Sequence, residues 1–119
     1  MLGSIRVISM RKGGDTTIQN GEKVIRIDRA NPVFGNPYIL HNHTDDLERD
    51  NVIAAYIADS EKDYAEEGAR FKGIQKLSER VLNGEKLCLA CWCAPKPCHG
   101  DWIVKKVKEN VDQIAFKST

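Results

Sequence analysis

The chain has 119 residues, with 18 Lys+Arg against 17 Asp+Glu and a formal net charge of +1. That length suits one domain with a real core, and the balanced charge supplies no basic field of the kind that draws a protein to bulk nucleic acid. No apolar run approaches the ~18 residues of a membrane span, the stretch MLGSIRVISMRKGG is too short in apolar residues for a signal peptide, and the four cysteines are expected to be reduced in a cytoplasm rather than paired as a disulfide framework.

One alternating α/β domain is expected over residues 1–119, with no repeats and no low-complexity segment. SIRVIS (4–9) reads as a short buried strand, and RKGGD (11–15) behind it is a loop whose glycines free the backbone. KVIRIDR (23–29) alternates Val24, Arg26 and Asp28 against Ile25 and Ile27, the pattern of a strand with one polar face. ANPVFGNPYILHNH (30–43) is governed by its Asn-Pro pairs and Gly35 and is expected to be an ordered loop. Its HNH (41–43) reads as polar loop, not as the nuclease of that nickname, whose ligands are scattered along the chain.

Thr44 or Asp45 can cap a helix whose acidic first turn suits the positive end of the helix dipole, with Val52, Ile53, Ala55, Tyr56 and Ile57 as its buried stripe. A second helix is expected over 68–84, placing Phe71, Ile74, Leu77 or Ser78, and Val81 at helical spacing and ending at Gly84. KLCLACWC (86–93) is a nearly continuous apolar run, too short for a helix and suited to a central strand buried on both faces. A helix over about 99–110 buries Ile103, Val107 and Val111 and exposes Lys105, Lys106 and Lys108 as a solvated face. DQIAF (112–116) is expected as a last edge strand.

All four cysteines and both tryptophans fall in CLACWCAPKPCHGDWIVKKV (88–107), at the junction of the last strand and the last helix. On an extended strand Cys91 and Cys93 face the same side as Leu89, while Cys88 and Trp92 face the other; Cys88 reads as ordinary core. Cβ atoms two residues apart on a strand lie ~6.5 Å from each other, too far for sulfurs sharing a zinc ion unless the strand breaks before Cys91. The spacing C-x-x-C-x-C-x4-C-H matches neither a usual zinc nor a standard iron–sulfur pattern, so no metal ligands are assigned. APKPCHGD (94–101) is more informative. Two prolines stiffen the turn, and Cys98, His99, Gly100 and Asp101 fall at the start of the last helix, where unpaired N–H groups can hold an anion or favour a thiolate. The plainer alternative is a capped turn in which Asp101 satisfies the helix end and His99 is exposed.

IRVISMRKGG, IRIDRANPVFGNPY and LCLACWCAPKPCHGDWI resemble, in order, the three signatures of the family catalogued as Domain of Unknown Function 4326, found in bacteria and their phages. Arg29, Gly35, Asn36 and Pro37 match the middle signature, whereas Asp28 stands where the family has glycine and Tyr38 replaces its final aromatic. The resemblance implies a compact Rossmann-like fold and no established activity. The expected architecture is a small, single-domain, three-layer α/β sandwich with a mostly parallel sheet.

Ligands of such open α/β sheets bind beyond the carboxyl ends of the strands. The expected function is therefore nucleotide or nucleoside handling. A phosphorylated or ribosylated small molecule would bind at the junction 93–101, with hydrolysis or glycosyl transfer as the accessible chemistry. Cys98, His99 and Asp101 are the candidate catalytic residues, and Arg6, Arg11, Arg29, Asn36, Cys93 and Gly100 the candidate ligand contacts. A thiol nucleophile at Cys98 ranks lower, because adjacent residues at a helix start ordinarily point apart and His99 would then be a poor base. The alternatives are a non-catalytic phage or bacterial accessory module that sequesters a nucleotide or binds a host protein, and a cysteine-ligated metal module. No membrane partner, no particular cofactor and no oligomeric state is indicated, nucleic acid is not indicated by the charge, and the location is cytoplasmic, in the host if phage-encoded.

Overall fold

Alternating side chains place the strands. Leu87, Leu89 and Cys91 point one way and Cys88 and Ala90 the other, and all five are buried, so this segment must be covered on both faces and flanked on both edges. The computed structural model of the chain describes residues 2–10, 18–28, 31–38, 44–92 and 98–117. Strands β1 (Ser4–Ser9), β2 (Glu22–Arg26) and β3 (Lys86–Cys91) form a parallel sheet in the order β1-β3-β2, with Val7 and Ile25 both in register with Leu89. The helices are α1 (Asp46–Ala65), α2 (Ala69–Leu82) and α3 (Gly100–Lys117).

The α/β class and the parallel sheet are as expected. The layering differs: Tyr56 of α1, Ile74 and Leu77 of α2, and Ile103 and Val107 of α3 all join the single core on the Leu87–Leu89–Cys91 face. The other face carries a small cluster of Ile8, Cys88 and Ala90 with Met10 against it, all from strands or their ends. Among the described residues the arrangement is therefore two layers, not three. Both crossover helices α1 and α2 lie in the β2 to β3 connection, and the described residues between β1 and β2 supply none.

Local signals fix the helix ends. Asp45 caps α1, its carboxylate accepting the Glu48 N–H at 3.0 Å, with Asp46 and Glu48 acidic in the first turn. After α2, Gly84 takes φ +92°, a left-handed conformation that glycine adopts without a Cβ clash, and the chain turns directly into β3. The expected strand over 112–116 is instead the last part of α3. Ile103, Val107 and Val111 keep a four-residue spacing against the core, which holds the segment in register as helix rather than releasing it to a sheet edge.

Cys88 is fully buried on the face opposite the helices, and its thiol is pushed up to about 11, by burial first and then by its hydrogen bond to Glu22. Cys88→Ala is expected to cost about 1 kcal/mol in urea unfolding. Any ligand affinity should be unchanged, since the side chain lies away from the start of α3.

Candidate functional site

The carboxyl ends of the three strands meet the start of α3. Past the end of β1, the Met10 N–H bonds the Cys91 carbonyl at 2.8 Å, and past β2 the Ile27 N–H bonds the Ala90 carbonyl at 3.0 Å, so the sheet stays closed to its last residues. α3 begins directly on this surface. A Cβ on Gly100 would come within 2.6 Å of Ile27 Cδ1 and 3.1 Å of Val7 Cγ2, so glycine is what allows the helix to start this close to the sheet.

The turn into α3 is a reciprocal cap. Asp101 accepts the Cys98 N–H at 3.1 Å, and Cys98 Sγ accepts the Gly100 N–H at 3.4 Å. The Asp101 and Trp102 amides bond the carbonyls of Cys98 and His99. These amides therefore already have acceptors, and an anion held by them would have to displace the cap. The plainer expectation for Asp101 is met in this respect, since its carboxylate satisfies the helix end.

His99 is not exposed, as that expectation had it, but buried, with 8% of its surface accessible. Its Nε2 lies 2.7 Å from the Ile27 carbonyl, which can only accept, so Nε2 carries the proton and Nδ1 presents a lone pair. That lone pair faces Cys98 Sγ at 3.6 Å. The neighbours thus point together, contrary to the sequence expectation, because Cys98 precedes the helix and its side chain folds back over the first turn. Tyr56 packs edge-on against the imidazole at 4.9 Å between ring centres and is itself covered by the Arg70 guanidinium. The Tyr56 hydroxyl donates to the Phe34 carbonyl at 2.9 Å, which ties the 31–38 loop to α1 beneath the site.

Burial is the largest influence on His99 and holds its pKa below the ordinary value; the Ile27 hydrogen bond opposes this, Arg70 adds to it, and Asp101 and Asp28 oppose it. The unfolded chain then binds a proton that the folded chain refuses. Stability is full above the unfolded value of ~6.5 and falls as the pH drops through it. Urea titrations at a series of pH values should show this acid-side loss, and it should be absent in His99→Gln.

The structure brings Cys98, His99, Gly100 and Asp101 together at one turn. It does not bring Arg6 there: its Nε and Nη2 grip Glu22 at 2.9 and 2.8 Å, and this pairing draws the Glu22 carboxyl down to about 2. Asn36 shapes its own turn, its carbonyl accepting the Tyr38 N–H at 2.9 Å. Arg11, Arg29 and Cys93 lie outside the described residues, as does HNH (41–43).

Sequence reasoning missed two participants. Cys91, the last residue of β3, has its Sγ 2.7 Å from Cys98 Sγ. Trp92, half exposed, donates its indole N–H to Asp28 Oδ2 at 3.2 Å, while Arg26 holds the same oxygen. The Cys91–Cys98 contact depends on where β3 stops, and nothing in the spacing announces that. Among the described residues no group of three or more His, Cys, Asp or Glu side chains is arranged to hold a metal ion, and no helix is long and apolar enough to cross a membrane.

A family model described as a domain of unknown function, DUF4326, matches residues 8–109. No curated protein and no solved structure matches the chain.

Proposed function

The chain belongs to the DUF4326 family, and since that membership brings no activity with it, we propose from the site itself that the protein handles a phosphorylated or ribosylated small molecule of the nucleotide or nucleoside class. The ligand would bind beyond the carboxyl ends of the strands, at the junction 93–101, with the Cys98–His99 pair as its reacting groups. The observation that carries this reading is the buried relay from the Ile27 carbonyl through His99 to Cys98. A neutral imidazole with a fixed tautomer and a thiol within reach is the equipment of nucleophilic or acid–base chemistry at a glycosidic bond or phosphate.

The relay lies at the carboxyl ends of the strands, where open parallel sheets bind their ligands. Half-exposed Trp92 adds an aromatic face, held by Asp28, on which a base can stack. A second reading, sequestration without turnover, is favoured by the burial of Cys98 and His99 and by the satisfied amides of the helix start. On either reading the protein works in the cytoplasm, the host's if phage-encoded.

The test is a thermal-shift panel of nucleotides, nucleosides and sugar phosphates, with product analysis of every member that binds. Stabilisation by a member carrying both base and ribose is expected, and its breakdown selects the catalytic reading. Stabilisation without breakdown selects sequestration. A panel with no binder contradicts both.

A further inference from the structure

We infer that Cys91 and Cys98 form a peroxide-reactive dithiol that closes to an intramolecular disulfide. This goes beyond the ligand reading and does not rest on it, because no nucleotide takes part.

Three observations carry the inference. First, the sulfurs are 2.7 Å apart, so reaching a bond of ~2.05 Å requires a movement of about 0.7 Å. Second, Cys98 Sγ has a base beside it: His99 Nδ1 is 3.6 Å away and is free of the ring proton, which the Ile27 carbonyl holds on Nε2. Third, Cys98 Sγ accepts the Gly100 N–H at the positive end of α3, where negative charge developing on sulfur is stabilised. Cys88, buried like the other two, differs in lying beside the Glu22 carboxylate, which opposes a thiolate there, and it is the unreactive thiol among the described cysteines.

The chemistry balances with hydrogen peroxide as oxidant. Nδ1 takes the Cys98 thiol proton as sulfur attacks one peroxide oxygen; an S–O bond forms, the O–O bond breaks, and the departing hydroxide leaves as water with that proton. Cys91 sulfur then attacks Cys98 sulfur, an S–S bond forms, the S–O bond breaks, and the hydroxyl leaves as a second water with the Cys91 proton. Two thiols are oxidised, and one peroxide is reduced to two waters.

The experiment uses the full chain, reduced with dithiothreitol, desalted and treated with hydrogen peroxide in the absence of nucleotide. Half of its four thiols should be lost, with a mass lower by about 2 Da, and dithiothreitol should restore both. Chymotryptic cleavage after Leu89 and Trp92 separates Cys88, Cys91 and the Cys93–Cys98 segment, so the bridge should join the fragment holding Cys91 to the one holding Cys98. The same bridge should form in Cys93→Ser. Cys91→Ser should instead trap a sulfenic acid at Cys98 that dimedone labels, and Cys98→Ser should leave Cys91 reduced. The inference is overturned by a bridge through Cys88 or Cys93, by disulfides only between chains, or by four thiols surviving peroxide that fully oxidises glutathione alongside. None of these results would touch the ligand reading, which the nucleotide panel decides separately.

Discussion

Gly100→Val is expected to destabilise the protein by about 3 kcal/mol in urea unfolding, the largest effect of any single substitution at the site. The new Cβ would lie 2.6 Å from Ile27 Cδ1, and Ile27 is fully buried, so its methyl could make room only by pressing on the packed core around it. Val7 Cγ2, at 3.1 Å, closes the other side. The remaining escape is for α3 to lift off the sheet, which draws His99 from the Ile27 carbonyl and parts the buried sulfurs. Asp101→Ala offers a calibrated contrast: it removes the acceptor for the Cys98 N–H and should cost about 1 kcal/mol, as other caps do. A Gly100→Val protein as stable as the parent would mean that the helix does not start against the sheet.

The second large effect is on chemistry. His99→Gln retains a side-chain N–H able to reach the Ile27 carbonyl but has no basic nitrogen to face Cys98. On the catalytic reading proposed above, turnover of a bound nucleotide or nucleoside should fall by about 10²–10⁴-fold, while its Kd changes by no more than about threefold. Cys98→Ser should fall at least as far, because the hydroxyl is a far weaker nucleophile beside a neutral imidazole. Full turnover in both variants would reduce the turn to a stiff corner joining β3 to α3. Loss of affinity without loss of rate would instead make the pair a binding contact.

Much of this scaffold was legible from local pattern. The run 4–9 became β1 without a change of boundary, Asp45 was readable as a cap because its carboxylate reaches a backbone amide three residues on, and Gly84 as a stop because a left-handed residue is needed there. The strand expected over 86–93 ends at Cys91, and the helix expected to stop near 110 continues to Lys117. The second difference comes from tertiary packing: the apolar spacing through Val111 keeps α3 against the core. The site was legible in its residue types and not in its contacts. Cys98 and His99 stand out by density of motif, but their approach depends on a side chain folding back from a residue just outside the helix. The Ile27 carbonyl arrives from just past β2 and Cys91 from the end of β3, and a main-chain oxygen carries no signature in any sequence.

The position of the site is tested most directly by amide chemical-shift mapping with the first nucleotide or nucleoside that stabilises the protein. Saturable shifts are expected at Ser9, Asp28, Trp92 with its indole N–H, and Cys98 through Asp101, at the carboxyl end of the sheet. The opposite end provides the control, a groove of about 330 Å³ between the start of β1 and α3, lined by Leu2, Ile5, Val107 and Val111 among others. Shifts confined to that groove, with the turn at Cys98 unmoved at saturation, would contradict the account.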